Sequence, residues 1–126
     1  MAEAKFADLL SKVEKKQDVG LFRMGWVMDY PSMENYLGPI YTTKGSSNYY
    51  GYSNSEFDTL VAEGTKAADE DAAITKYQAA EDLLANDMPV IPLRFGQNNY
   101  GYSTKVRNVE IDLFQRINLL KVEAVS

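Results

Sequence analysis

The chain has 126 residues, of which 45% are hydrophobic and 25% are charged, and its formal net charge is −5. This is the balance of an ordinary globular domain. Cysteine and histidine are both absent, which excludes disulfides and thiolate chemistry and argues against a metalloenzyme or a Ser-His-Asp hydrolase. The acidic balance argues against a nucleic-acid surface, and the sequence has no run of about 18 apolar residues that would predict a membrane span.

The first predicted element is an amphipathic helix. Apolar residues recur with helical spacing at Phe6, Leu9, Leu10 and Val13. Three lysines gather near the C-terminal end, where the helix dipole favours cations: Lys12, Lys15 and Lys16. We expect no signal peptide from Met1 to Lys5, because the acidic Glu3 occupies a region that should be basic.

An apolar run from Asp18 to Met28 predicts a buried strand, since it is too short for a core helix and contains two glycines. Trp26 and Asp29 stand at its end. Ligands of α/β proteins commonly bind where strands leave the sheet, and an indole beside a carboxylate suits a ligand with an ammonium group. The alternative is that Trp26 is a core residue and Asp29 only starts the turn before Pro31.

The segment from Asp29 to Asn54 is rich in Gly, Pro, Ser, Asn and Tyr. A loop of this length is uncommon unless it is functional or carries local structure. We therefore expect a short helical turn from Ser32 to Leu37, with Ser32 as the N-cap.

Two helices are predicted next. An S-x-x-E capping box of Ser53 and Glu56 predicts a helix from about Asn54 to Ala67. Asp69 is expected to cap a second helix, which ends before Pro89. The apolar face of this second helix consists of Ala73, Tyr77, Ala80 and Leu84.

Strands are predicted for the remaining segments. Val90 to Phe95 is expected to be an edge or crossing strand, because Pro92 has no N–H for a ladder. Partial apolar alternation predicts two more strands, from Lys105 to Leu113 and from Ile117 to Val125.

Tyrosine occurs 9 times and is concentrated between Tyr49 and Tyr52 and between Tyr100 and Tyr102. Exposed tyrosines can stack on sugars, so a carbohydrate-binding module is an alternative function; otherwise these rings cover the core. The acidic run from Asp69 to Asp71 is explained by a helix N-terminus, without calcium.

Four motifs occur in order along the chain: GW-x-x-DYP, YSN-x-EFD, K-Y-Q-x-A-E and A-x-D-x-PVIPL. They begin at Gly25, Tyr52, Lys76 and Ala85. This succession resembles the C-terminal part of substrate-binding proteins of the oligopeptide and dipeptide ABC importers, the bacterial extracellular solute-binding protein family 5.

The resemblance implies an α/β fold: part of one lobe of a periplasmic-binding-protein-like (type II) fold, with a mixed sheet and three or four helices. The whole chain, residues 1–126, is then a C-terminal fragment. About residues 1–104 would come from one lobe, and about residues 105–126 would return toward the other. The resemblance also implies a periplasmic or membrane-anchored extracellular location. It implies no enzymatic activity and no cofactor.

In the resembled family the counterpart of Asp29 pairs with the α-amino group of a peptide, and the strand carrying Trp26 and Val27 contacts the peptide backbone by strand addition. The implied partners are a peptide and the permease subunits of the importer, and no nucleic acid. The family binds its ligand in a cleft between two lobes, and this chain would supply only one wall of that cleft. It is therefore expected to bind weakly and to self-associate. The family often has a second acid after DYP, whereas this chain has Ser32 to Asn35. An acid pair of Asp29 and Glu34 would suit an enzyme, but no second motif supports it.

Overall fold

The computed structural model describes residues 5–94 and 96–125. The chain forms two compact units, Met1–Ile91 and Pro92–Ser126. The described residues hold four α-helices and one sheet of two short strands, so the chain is α/β. No helix among them is both long and apolar enough to span a membrane.

The first unit holds all four helices, and each lies where a helix or helical turn was predicted. They are α1 (Phe6–Glu14), α2 (Glu34–Tyr41), α3 (Ser55–Thr65) and α4 (Glu70–Asp87). The turn predicted after Pro31 is therefore a longer helix, α2, which starts and ends later than expected.

Capping side chains set where α3 and α4 begin. Asp69 caps α4 as predicted, since its carboxylate accepts a hydrogen bond from the Ala72 N–H at 2.8 Å. The cap of α3 is Asn54, whose side-chain oxygen accepts from the N–H groups of Glu56 at 3.0 Å and Phe57 at 3.2 Å. The predicted capping box of Ser53 and Glu56 is therefore wrong, because the cap lies one residue later and the Ser53 hydroxyl pairs with the Thr43 hydroxyl instead.

The core lies where α3 packs on α4 and α2 contacts both. Phe57 is fully buried, and the rings of Tyr41 and Tyr52 meet it edge-on at centroid distances of 6.3 and 5.7 Å. Such pairs stabilise a core beyond the area they bury. The buried members of this cluster are Leu37, Phe57, Val61, Tyr77 and Ala80, which confirms the apolar face predicted for α4.

Helix α1 buries Val13, whereas Phe6 at its start is 65% exposed. The predicted apolar face of α1 is thus only partly covered. Just after the helix, the Lys16 ammonium donates a hydrogen bond to the backbone carbonyl of Asn48, which fastens the end of α1 to the loop between α2 and α3.

Asn48 organises that loop from inside. Its side chain is buried, and its amide donates to the carbonyls of Thr42 at 3.0 Å and Tyr52 at 2.7 Å. Its oxygen accepts the Tyr52 N–H at 3.0 Å. The loop therefore has the local structure that its length predicted, built by one side chain in place of a ladder.

Asp87, at the end of α4, is tied to the segment that precedes α3. Its carboxylate accepts hydrogen bonds from the Tyr52 hydroxyl at 2.7 Å and from the Asn54 amide at 3.0 Å. These two bonds hold the pKa of Asp87 below its ordinary value of 3.8. They also compensate for the unfavourable position of a carboxylate at a helix C-terminus.

The buried strand predicted from Asp18 to Met28 is wrong. The described residues form no strand there, Leu21 is fully exposed, and Val27 is 57% exposed. The physical reason is that a strand needs a hydrogen-bonded neighbour, and none of the described residues supplies one.

The strand predicted from Val90 to Phe95 is also wrong over residues 90–94, which form no ladder; Phe95 lies outside the described residues. The two C-terminal strands are confirmed only over two residues each, near the start of the first predicted segment and near the end of the second. In the second unit, β1 (Val106–Arg107) pairs antiparallel with β2 (Glu123–Ala124), and Ile111 and Ile117 form an isolated bridge. The described sheet is antiparallel, so the prediction of a mixed sheet was wrong.

Replacing Gly64 by Ala should destabilise the first unit. A Cβ at this buried position would lie 2.8 and 2.9 Å from the Cδ1 and Cζ atoms of the buried Tyr77 ring, and closer still to Cε1. Overpacking costs about 1–3 kcal/mol, against a helix-propensity gain of about 1 kcal/mol, so we expect a net loss of about 1 kcal/mol in the free energy of unfolding. Urea unfolding followed by circular dichroism measures it.

Gly38→Ala is the matched control, because a Cβ there would meet the mobile end of the Glu34 side chain. It should leave the free energy of unfolding within about 1 kcal/mol of the wild type. A Gly64→Ala protein as stable as the wild type would contradict the close contact between α3 and Tyr77.

Asp87→Asn should lower stability at neutral pH and lose that effect in acid. Because the folded-state pKa of Asp87 lies below 3.8, its carboxylate stabilises the fold above this pH, and the contribution disappears as the pH falls through the folded-state pKa. The stability gap between wild type and Asp87→Asn should therefore close below pH 3.8. Urea titrations from neutral pH downward test this, with Asp82→Asn on the same helix as the control; a gap that does not change with pH would refute the role of Asp87.

Candidate ligand-binding site

Residues 21–28 form an open segment with the periodicity of a strand. Exposed and partly buried side chains alternate along it, as they do on a strand with one covered face. The partly buried positions are Phe22, Met24, Trp26 and Met28. Among the described residues, no backbone N–H or C=O group of 21–28 makes a hydrogen bond. The segment therefore has the shape of a strand without its partner.

Asn35 fixes the C-terminal end of this segment. It lies in the first turn of α2 and is 2% exposed. Its side-chain oxygen accepts two hydrogen bonds, from the Trp26 indole N–H at 3.0 Å and from the Asp29 backbone N–H at 3.1 Å. One buried oxygen therefore sets the position of both residues that the sequence placed at the end of the strand.

The structure leaves the predicted contact groups accessible. Asp29 is exposed, and its carboxylate makes no hydrogen bond or ion pair with any described residue. Val27 is also exposed, whereas Trp26 is partly buried. Asp29 thus has the accessible carboxylate that an ammonium group requires. The roles of Trp26, Val27 and Asp29 stay predictions.

Tyr30 and Glu34 form a pair beside Asp29. The Tyr30 hydroxyl donates a hydrogen bond to the Glu34 carboxylate, and this bond raises the pKa of Tyr30 above its ordinary value. Ser32 was predicted to be the N-cap of α2; it lies one residue before the actual cap, Met33, and its hydroxyl still accepts the Glu34 N–H at 3.2 Å. Glu34 is thus already paired with a phenol.

Sequence reasoning missed Asn35. In the sequence, Asn35 stands out only as the last residue of the departure from the family pattern at Ser32 to Asn35. No local pattern marked it as buried, because residues two apart on a helix, such as Asn35 and the core residue Leu37, do not share a face. A polar residue that is buried in a short helix must have partners, and these partners lie in the segment before it.

The first tyrosine cluster belongs to the fold. The Tyr50 hydroxyl donates to the Ile40 carbonyl at 2.8 Å, and burial raises the pKa of Tyr50. Burial, followed by the bond to Asp87, raises the pKa of Tyr52 to about 12. In the other cluster, Tyr100 and Tyr102 are 49% and 61% exposed. The structure therefore favours the alternative that the first cluster covers the core over sugar binding.

Other concave or charged features carry little chemistry. A shallow recess of the first unit includes Lys16, Phe22 and Tyr50, but none of the three predicted contact residues lines it. Within residues 5–94 and 96–125, no three acidic side chains come together in a way that could hold a metal ion.

The chain is similar to proteins that are named for binding peptides or haem. It is 27% identical over 93 residues to oligopeptide-binding protein OppA of Bacillus subtilis, covering 74% of this chain and 17% of that protein. It is 29% identical over 82 residues to dipeptide-binding protein DppE of Bacillus subtilis (61% and 15%). It is 30% identical over 82 residues to heme-binding protein A of Haemophilus influenzae (64% and 15%).

No protein-family model matches the chain. The chain spans about a sixth of the length of these curated relatives. The names of these relatives include the two peptide classes that the motifs indicated. The predicted resemblance to substrate-binding proteins of the oligopeptide and dipeptide ABC importers, solute-binding protein family 5, is thereby confirmed.

Proposed function

We propose that this chain is part of the extracytoplasmic substrate-binding component of an ABC importer, which binds peptides and delivers them to a membrane permease. The observation that carries the proposal is the arrangement at the GW-x-x-DYP motif. Asn35 holds Trp26 and the backbone of Asp29 together, while the Asp29 carboxylate stays exposed and unpaired among the described residues.

Two groups would recognise the peptide. The Asp29 carboxylate accepts hydrogen bonds from the peptide's α-amino group, and a charge-assisted bond of this kind contributes about 1.5–3 kcal/mol. The unpaired backbone next to Val27 binds the peptide main chain by strand addition. Because recognition would use the main chain and not the side chains of the peptide, peptides of many sequences would bind.

Peptide is a better candidate than haem, although one relative is named for haem. Two of the three relatives described above are named for peptides, and the exposed carboxylate of Asp29 suits the ammonium group of a peptide. A catalytic role has less support, because Glu34, the second member of the possible acid pair, is paired with Tyr30.

The architecture we propose for the longer protein has two lobes of the type II periplasmic-binding-protein fold. Residues 1–104 of this chain would belong to one lobe, and residues 105–126 would return toward the other. The ligand would lie between the lobes, so this chain would provide one wall of the cleft and bind weakly on its own.

A peptide with a free amino terminus should bind the chain with a dissociation constant of about 1 mM or weaker, and Asp29→Asn should abolish its advantage over the acetylated peptide. The charge-assisted bond predicts a difference of about tenfold or more between trialanine and N-acetyl-trialanine. Titrations followed by two-dimensional NMR detect such weak binding and locate it by the shifts of residues 25–31.

Glu63→Gln, which removes an exposed carboxylate of α3 that pairs with Lys76, is the control and should leave both affinities unchanged. Equal affinity of the two peptides for the wild-type chain would refute the role of Asp29. Nanomolar binding would refute the inference that one wall of the cleft is missing.

The open segment 21–28 should also make the chain self-associate. Its backbone is unpaired, and Leu21 projects fully into solvent, the combination that invites strand pairing between copies. Leu21→Lys should therefore increase the monomer fraction measured by light scattering, because a lysine on an exposed edge opposes pairing.

Leu113→Lys provides the comparison, since Leu113 is 91% exposed in the second unit. It should leave the association unchanged. If Leu113→Lys dissociates the protein and Leu21→Lys does not, association through segment 21–28 is refuted.

A further inference from the structure

Asn35 is the only described residue outside the segment whose side chain makes hydrogen bonds to residues 21–29. Its oxygen accepts from the Trp26 indole at 3.0 Å and from the Asp29 N–H at 3.1 Å. The backbone of residues 21–28 itself makes no hydrogen bond within the described residues. The orientation of the indole and the path of the chain at Asp29 therefore both depend on this oxygen.

The oxygen is well placed to act as a rigid reference point. Asn35 is 2% exposed and lies in α2, two residues before Leu37 of the core. Its side chain therefore has few alternative rotamers, and water does not compete for its oxygen. Two donors that share one buried acceptor are also held at a fixed distance from each other.

We propose that Asn35 is a positioning residue for the ligand site: it does not touch the ligand, but holds the Trp26 indole and Asp29 in the binding arrangement before the ligand arrives. The ligand-binding part of this proposal rests on the proposed function above. Pre-positioning reduces the ordering cost of binding, so its loss weakens every ligand that uses both residues.

The sequence offers a direct probe, because Trp26 is the only tryptophan of the chain. Its fluorescence, its quenching by acrylamide and its indole N–H resonance report on this one hydrogen bond without any ligand. In Asn35→Leu, the indole resonance should move and exchange faster with water, and quenching should increase. Asn35→Asp keeps an acceptor oxygen and should restore much of the wild-type signal.

Asn48→Leu is the matched control, because Asn48 is also 2% exposed and also organises a loop, but makes no contact with Trp26. It should lower stability and leave the Trp26 signals unchanged. Circular dichroism identifies any variant that has lost its helices. Trp26→Phe removes the indole donor without altering α2. It also removes the fluorescent probe, so its readout is trialanine affinity; unchanged affinity overturns the proposal even if Asn35→Leu fails to fold.

The binding test uses the whole chain and trialanine. Asn35→Leu should weaken trialanine by about tenfold, because the indole and Asp29 must then be ordered when the ligand binds. Asn35→Asp should weaken it less, and the effects of Asn35→Leu and Trp26→Phe should add only in part, because the two changes share the indole hydrogen bond.

The outcomes separate this inference from the proposed function. Unchanged Trp26 signals in folded Asn35→Leu overturn the positioning role. Moved signals together with unchanged trialanine affinity also overturn it, since Asn35 would then be only structural. If the wild-type chain does not discriminate trialanine from its acetylated form, or if Asp29→Asn keeps the full discrimination, the proposed function fails, while the effect on Trp26 is still measurable.

Discussion

The rest of this chain depends on one constraint: an extended segment, residues 21–28, has no neighbouring strand with which to form hydrogen bonds. The backbone groups of residues 21–28 are unpaired within the described structure, although their side chains alternate as on a strand. Such a segment keeps its position only if something other than a ladder holds it. Here the holding contacts are the partly buried side chains on one face and the single oxygen of Asn35. Both backbone edges of residues 21–28 stay open within the described structure.

The same constraint explains which elements the sequence predicts well. Helix α4 follows from signals within a few residues of one another: the Asp69 cap, an apolar face and a terminating proline. A helix closes its hydrogen bonds within itself, so these signals are sufficient. A strand closes its hydrogen bonds with a distant segment, so the apolar run from Asp18 to Met28 determined neither the burial nor the pairing of the segment. The apolar alternation in the C-terminal segments likewise did not determine which of their residues would pair.

The candidate site was predictable to a similar extent. Trp26 and Asp29 could be selected from residue chemistry and from the resemblance, because both are carried by a local motif. Asn35 could not, since its role appears only when its side chain meets an indole nine residues earlier. Likewise, nothing near Tyr52 indicated that its hydroxyl would reach Asp87, 35 residues later. Contacts across such separations are set by the packing of helices, which residue patterns leave undetermined.

Two buried asparagines perform the same physical task in this chain. Asn48 replaces a ladder in the loop before α3, and Asn35 replaces one at the end of segment 21–28. They differ in how many backbone groups their side chains bind. Asn48 binds three and closes its loop, whereas Asn35 binds one and holds only one end of an open segment. The helical core can therefore be stable by itself while the segment still lacks partners for its backbone. A peptide or a neighbouring strand would supply those partners, and part of its binding free energy would be spent on ordering the open end. The anchored end, where Asp29 lies, would need little further ordering, so recognition should begin there.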